Sequence, residues 1–294
     1  MQILAEKLAF ANAELPWLFP LFFLLLGACV GSFLNVCVYR IPQGVSIARP
    51  RSRCACGSAI KWFDNIPVLS WFLLRGRARC CGGKFSFRYP FVECLTALAF
   101  YYSYTAFAFP FAIVAMFFFS LMLVASFIDI DTLELPDVLT VGGIVAGLAF
   151  SCFVSGMHTQ RDLADPFLFF SLRSLMISAT GAVVGAGLLF LFKVFSEFLL
   201  RRDAMGEGDL VLLACIGAFT GWQGAVFAVF GGSFIGAFMM APIMLFNKIA
   251  GKKSESEMIP YGPWLAIGGV AYMFFCALVV DAHFAEVIRV FFER

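Results

Sequence analysis

Apolar residues in this 294-residue chain are gathered into about eight long runs, and that grouping leaves little choice of fold. The runs cover residues 17–38, 90–108, 111–128, 138–155, 172–195, 210–222, 225–246 and 261–280. A helix needs about 20 residues, within a range of about 17–25, to cross the hydrocarbon core of a bilayer, and most of the runs meet that length. Hydrophobic residues make up 62% of the chain and charged residues 14%, whereas soluble domains carry roughly a quarter charged. The chain therefore reads as an all-α polytopic membrane protein of about eight transmembrane helices. Residues 1–15 form a short, mildly amphipathic lead, and the run that follows is too long for the apolar region of a cleaved signal. The run at 210–222 is short. To cross, its helix must recruit residues before Leu210, which draws Gly206, Glu207, Gly208 and Asp209 below the surface. Ionisable groups are rare there and usually functional.

Lysines and arginines set the expected orientation. Between the first two runs stand Arg40, Arg49, Arg51, Arg53, Lys61, Arg75, Arg77, Arg79, Lys84 and Arg88, and such an excess marks a cytoplasmic segment. Alternation then puts the connection after Ile128 on the same side, with those holding Arg201 and Arg202 and Lys248, Lys252 and Lys253. Both termini fall outside, with only Lys7, Arg161, Arg173, Arg289 and Arg294 as cations there. The formal net charge of +2 carries no information about partners; lipids surround the spans, and nothing points to nucleic acid. Three regions are expected: 1–39, the lead and first transmembrane helix; 40–89, a small cytoplasmic cysteine-containing insert; and 90–294, a transmembrane domain.

The insert is too small to build much of a core without a staple. It holds Cys54 and Cys56 in "RSRCACGSAI" and Cys80 and Cys81 in "RARCCGGKF". Thiols on the cytoplasmic side stay reduced, so clustered cysteines favour a metal over a disulfide. Four thiolates converging from two turns would make a tetrahedral structural zinc site. The C-x-C and C-C spacings differ from the usual C-x-x-C turn, and the alternative is a metal-free loop domain. Cys29, Cys37, Cys94, Cys152, Cys215 and Cys276 lie in the apolar runs and read as small packing residues.

Acidic residues near the membrane are few. The third run leads into "FIDIDTLELPD", with Asp129, Asp131, Glu134 and Asp137, and the sixth opens with Glu207 and Asp209. Both groups fall at cytoplasmic helix ends. Two aspartates facing each other from different helices share a proton, so one serves as base toward water while the other serves as acid toward a carbonyl. On a helix Asp129 and Asp131 diverge by about 200°. Asp129 is nearer the apolar run and is the favoured partner for Asp209; Asp131 is either a solvated end residue or a substrate contact. Asp137 follows Pro136 and sits where a helix N-cap belongs, Glu207 belongs at the water interface, and the bland reading of Asp209 is a cap facing the headgroups. The histidines, His158 and His283, both fall on the outer side, which disfavours Ser-His, Cys-His and H-E-x-x-H chemistry from the cytoplasm. Gly181/Gly185, Gly217/Gly221 and Gly232/Gly236 have the spacing that lets helices approach closely. A membrane aspartic endopeptidase is the leading reading. A transporter using Asp129 and Asp209 as ion or proton sites is its rival, weakened because both aspartates lie near one face. A zinc-anchored assembly factor is the third.

Gly206-Glu207-Gly208-Asp209 matches the G-x-G-D signature of intramembrane aspartic proteases. With "GSFLNVCVYRIP", "DNIPVLSW", "RGRARCCGGKFSFRYPFVE", "FIDIDTLELPD", "MGEGDLVLLACIGAFTGW" and "PYGPWLAIGG" in that order, the chain resembles the type IV prepilin peptidases from Gly31 to Gly269. The resemblance implies eight membrane helices in a bacterial cytoplasmic membrane and an active site at the cytoplasmic face, with Asp129 and Asp209 as the catalytic pair. It implies substrates that are type IV prepilins or pseudopilins of pilus or type II secretion systems, cut between a glycine and a residue that is usually Phe. It also implies methylation of the new N-terminus with S-adenosylmethionine; proteolysis itself needs no cofactor. Lys84, Arg88 and Glu93 are the candidates for the methyl-transfer site. The chain departs from the family where Arg53 and Ala78 replace the first cysteine of each C-x-x-C pair, and in a longer connection at 157–172. Gly206 and Gly208 leave room for a substrate backbone beside Asp209, and Asp131, Glu134 and Glu207 offer negative charge to a basic leader.

Overall fold

The computed structural model describes residues 14–49, 52–154, 157–158, 166–201, 206–249 and 260–276. His283, Arg51, Arg202, Lys252 and Lys253 lie outside the described residues, as do Lys7, Arg161, Arg289 and Arg294. Among the described residues the regular structure is helical, apart from two isolated antiparallel bridges in the insert. The helices are α1 (Leu18–Arg40), the one-turn α2 (Leu69–Leu73), α3 (Arg88–Ala106), α4 (Phe109–Thr132), α5 (Asp137–Phe153), α6 (Phe167–Leu200), α7 (Glu207–Ile249) and α8 (Gly262–Ala271). The last continues into a wider turn over Tyr272–Cys276. By internal contacts the chain divides into two compact units, Met1–Ser120 and Leu121–Arg294, a division that falls inside α4.

Among the described residues four helices are long and apolar enough to cross a membrane: Leu18–Arg40, Phe109–Thr132, Phe167–Leu199 and Glu207–Pro242. Of the eight expected, four therefore qualify by length and composition. The others fall short for visible reasons. α3 carries Arg88, Glu93 and the polar stretch "YYSYT", α5 has 17 residues, and the last apolar helix is described only over Gly262–Cys276.

In the first unit, α1 packs on α3 through Gly27 and Gly31, a small-residue pair in "GACVG" that the sequence reading passed over. A Cβ at Gly27 would stand 2.8 Å from the Ala97 Cα, and one at Gly31 2.8 Å from the Glu93 Cα. Phe23, Phe100, Ala112 and Met116 close the unit's core, and Phe23 stacks on Tyr104 at 4.6 Å between ring centres.

In the second unit, the sixth and seventh runs share α7. A straight 43-residue helix would measure about 65 Å, but α7 is broken at Gly221, whose φ of 73° and ψ of −178° no helix contains. Before the break, Gly217 and Leu213 back onto Gly181 and Gly185 of α6. After it, Phe230 comes alongside Phe192, so the second half runs in the opposite sense to the first. Gly232 and Gly236 then meet Trp264 of α8, and Gly268 meets Ala228. The three glycine pairs expected to serve helix packing all lie at such contacts. At the break the helical hydrogen-bond ladder is interrupted, and side chains take the Ala218 carbonyl: Ser178 Oγ donates at 2.7 Å and His158 Nε2 at 3.2 Å. Part of the 157–172 connection therefore contributes to the interior.

Between α4 and α5 the chain turns at Leu133, in the left-handed region with φ 57°. The Thr132 hydroxyl ties this turn to the helix, accepting from the Glu134 N–H at 3.3 Å and donating back to the Ile128 carbonyl at 2.9 Å. Pro136, extended at φ −63° and ψ 134°, is the N-cap of α5. Asp137 is thus the first helical residue and not the cap expected for it; a proline there supplies the extended geometry, and the Asp137 charge adds to it through the helix dipole.

Candidate active site

Asp129 sits in the last turn of α4 and is 5% exposed. Its Oδ2 accepts the backbone N–H of Gly262 at 3.0 Å. Gly262 opens α8 and is followed by Pro263, so this N–H is one of the donors a helix N-terminus leaves free. The helix dipole adds attraction for a carboxylate at that end. Only glycine fits: a Cβ at 262 would stand 2.7 Å from Oδ2 and 3.2 Å from Cγ of Asp129. The sequence reading used "PYGP" as part of the resemblance but assigned it no site residue. Its signal was a Gly-Pro step at the start of an apolar helix.

Asp209 is the third residue of α7, buried at 8% exposure. It lies inside the first turn, so it is not the headgroup-facing cap of the bland reading. The charges of Asp129 and Asp209 are within electrostatic reach of each other, and Tyr261 is within reach of Asp209. The Tyr261 hydroxyl is hydrogen-bonded to Ser233 Oγ at 2.8 Å, which ties the start of α8 to the second half of α7. Asp131, Glu134 and Glu207 are exposed, in keeping with the opposite directions of residues 129 and 131. The two glycines of the G-x-G-D stretch differ. Next to Gly206 a Cβ would meet nothing closer than Asp209 Oδ2 at 3.7 Å, whereas beside Gly208 it would stand 3.0 Å from the Leu135 Cβ. The space at Gly208 is thus used by the chain's own α4–α5 connection.

In the insert, two tight turns present the cysteines. Cys54 N–H donates to the Ser58 carbonyl and Gly57 N–H to the Cys54 carbonyl, both at 2.8 Å; Ala78 N–H donates to the Gly83 carbonyl and Gly82 N–H to the Ala78 carbonyl, also at 2.8 Å. Gly57 at φ 88° and Gly82 at φ 69° supply the left-handed positions. The four Sγ atoms all lie within 4.8 Å of one another, with Cys54 to Cys81 at 3.6 Å and Cys56 to Cys80 at 3.4 Å. Sulfurs about 2.3 Å from a tetrahedral zinc are about 3.8 Å apart, so the donor set fits that ion despite the irregular spacing. A hydrogen bond with Ser58 holds the Cys56 thiol down to about 6, whereas bonds to Cys54 and Cys56 push Cys80 up to about 12.

Glu93, on α3, is taken up by the protein itself. Its Oε2 accepts the Val68 N–H at 2.6 Å and its carboxylate also hydrogen-bonds Ser32. Asn35 on α1 donates to the Tyr89 carbonyl at 3.2 Å. Glu93 is therefore a strut between α1, α3 and the insert. Lys84 is exposed, in the second cysteine turn, and Arg88 begins α3.

Comparison with known proteins agrees with the order of these features. The bacterial peptidase A24 N-terminal domain matches residues 25–107, and the type IV leader peptidase family matches residues 116–241. A prepilin leader peptidase/N-methyltransferase of Dickeya chrysanthemi is 35% identical over 289 residues, covering 90% of this chain and 95% of the relative. The chain belongs to the type IV leader peptidase family. The prepilin leader peptidase/N-methyltransferase of Myxococcus xanthus is 38% identical over 245 residues, 81% of this chain and 67% of that protein. The type 4 prepilin-like proteins leader peptide-processing enzyme of Escherichia coli O78:H11 is 31% identical over 280 residues, 86% and 92% respectively. No solved structure matches the chain. Family membership supports enzymatic activity of the leader-peptidase type, and together with the long apolar helices it supports a multi-pass location in the bacterial inner membrane.

Proposed function

We propose that the protein is a membrane aspartic endopeptidase that removes the basic leader of type IV prepilins or pseudopilins at the cytoplasmic face of the inner membrane, with Asp129 and Asp209 as its catalytic pair. The observation that carries this is two buried carboxylates on separate helices, each within reach of the other's charge, one of them fixed by the Gly262 N–H. In the reaction one carboxylate takes a proton from water as the water oxygen bonds to the scissile carbonyl carbon, and the other donates a proton to the carbonyl oxygen. The tetrahedral adduct collapses and the C–N bond breaks: the leaving amine takes the proton held by the first carboxylate, and the second carboxylate takes back a proton from one hydroxyl as it becomes the new carbonyl. The products are the leader's new carboxyl terminus and the pilin's new amino terminus.

In this reading α1, α3, α4, α5, α6, the two halves of α7, and α8 make eight crossings, residues 40–89 form the cytoplasmic insert, and residues 90–294 form the peptidase domain. The reversal at Gly221 supports counting α7 twice. Cys54, Cys56, Cys80 and Cys81 would hold a structural zinc, which supplies a tie between two turns and no step of proteolysis. Methyl transfer from S-adenosylmethionine to the new amine rests on the family alone, and no residue is given a step in it. The test is cleavage of a full-length prepilin in detergent by wild type, Asp129→Asn and Asp209→Asn. Each substitution should lower kcat by about 10²–10⁴-fold, the usual contribution of a general acid or base. Cleavage at near wild-type rate by either variant removes that residue from the pair.

A further inference from the structure

The insert presents an apolar face outward. In the one-turn helix α2, Ser70 is buried and Trp71 packs inward, its Nε1 donating to the Phe85 carbonyl at 3.3 Å. Leu69, Phe72 and Leu73, at the i, i+3 and i+4 spacing of a single helix face, are exposed instead, Leu73 at 77%, and Trp62 nearby in sequence is exposed at 80%. Such residues on a polar segment mark a contact surface. Charge and depth identify what it meets. Between Arg40 and Tyr89 there are ten Lys or Arg and one acid, Asp64, and Asp64 is already bound to Arg79 at 2.9 Å. Arg75 and Arg77 follow the apolar face directly and are exposed.

The depth comes from Glu93. Its bond to the Val68 N–H fixes the residue just before α2 beside the second turn of α3, at the level of Gly31, nine positions before the end of α1. That is about 13 Å along the helix from Arg40. The outward face of α2 is therefore held beside membrane helices, where a soluble protein cannot reach as lipid can.

We propose that α2 and Trp62 form an interfacial anchor seating the insert in a leaflet rich in anionic phospholipid, with Arg75 and Arg77 on its headgroups. Aromatic and aliphatic side chains flanked by cations are the usual composition of such anchors, and basic segments gather acidic lipid. The proposal rests on reading α1 and α3 as membrane-spanning, not on the catalytic assignment. Cleavage of prepilin in the same preparation reports on the latter separately.

The test is amide hydrogen exchange of the full chain in nanodiscs of phosphatidylcholine or of equal parts phosphatidylcholine and phosphatidylglycerol. An isolated single turn is unstable in water, so the Leu74 and Arg75 amides, bonded to Ser70 and Phe72, exchange quickly unless the turn is seated. Phosphatidylglycerol discs should slow them by about tenfold or more, and about 1 M salt, where the Debye length is about 3 Å, should reverse much of that. Leu69→Ser with Phe72→Ser and Leu73→Ser should abolish the protection, and so should Arg75→Glu with Arg77→Glu. Unchanged exchange at Ala78 and Gly82 shows that the insert remains folded. Equal exchange in the two lipids, fast or slow, would overturn the proposal, as would protection that survives the charge reversal.

Discussion

Replacing Gly262 by alanine puts one methyl group against the carboxylate of Asp129. The added Cβ would stand 2.7 Å from Oδ2, well inside the carbon–oxygen contact distance, and both neighbours of that contact are constrained. Asp129 belongs to the last turn of α4, and residue 262 is fixed at the start of α8 by Pro263 and by the Tyr261–Ser233 bond. Either Asp129 or the helix end must move by several tenths of an ångström, and the 3.0 Å bond from the Gly262 N–H is lost or bent. A hydrogen bond to a charged group is worth about 1.5–3 kcal/mol, which as a change in barrier is about 10–150-fold in rate. Misplacing a catalytic group by about 1 Å gives a similar loss, about 10²-fold. Initial rates of prepilin cleavage in detergent should show kcat for Gly262→Ala reduced by about 10–100-fold with KM changed little, since the added methyl group meets the carboxylate of Asp129. Gly142→Ala is the matched control: a Cβ there meets nothing within 4 Å, and its kinetics should equal wild type. A Gly262→Ala enzyme with kcat within about twofold of wild type would refute the idea that the start of α8 holds Asp129 in place.

Three further outcomes are expected. His158, in the connection between α5 and α6, is pushed down to about 4 by burial, with the Ala218 carbonyl opposing the shift. Folding therefore disfavours its protonation: the neutral ring's contribution is complete above about pH 6.5 and is lost as pH falls toward 4, by up to about 1.4 kcal/mol per pH unit. His158→Gln keeps a donor for Ala218 without a titration, so thermal unfolding in detergent at pH 7.5 and pH 5 should differ less in the variant; an identical drop would exclude His158 as the source. Metal analysis of protein purified without chelator should find one zinc per chain, absent from Cys54→Ser and from Cys80→Ser, and retention in either variant would remove that residue from the ligand set. Replacing Asp131, Glu134 and Glu207 together by their amides should raise KM for a basic leader by about tenfold at low salt, the scale expected of a few exposed charges, and an unchanged KM would sink their role in leader binding.

The two buried aspartates, Asp129 and Asp209, were legible because the cost of such groups is legible. Carboxylates beside apolar runs stand out; a divergence of about 200° lets only one of Asp129 and Asp131 face a partner helix, and nearness to the apolar run favours Asp129, which is buried while Asp131 is exposed. Contacts made by backbone were not. The donor to Asp129 is an N–H, which leaves no mark in a sequence beyond the glycine that permits it, and the strut from Glu93 ends on the N–H of Val68. In sequence a buried carboxylate looks alike whether it serves a ligand or a backbone amide, so the bond from Glu93 to Val68 could not be foreseen. Helix number was hardest to read. Length and hydropathy are averaged over a run, whereas the reversal in α7 depends on one residue, Gly221, and on Ser178 and His158 being present to take the carbonyl that the break exposes.

The charge pattern separates lipid from substrate. A leader that is basic is repelled by an insert holding ten cations against one acid, so the insert cannot be the leader's receptor unless its charge is neutralised. Acidic headgroups beside Arg75 and Arg77 would do that, and they leave the exposed acids Asp131, Glu134 and Glu207, each within two residues in sequence of Asp129 or Asp209 or in the turn that follows α4, as the negative surface for a cationic peptide. Attraction between exposed charges is a matter of 10 Å or so at 0.1 M salt. It acts where the acids are, next to the carboxylate pair in sequence, and under the proposed mechanism that is where the bond to be cut is brought.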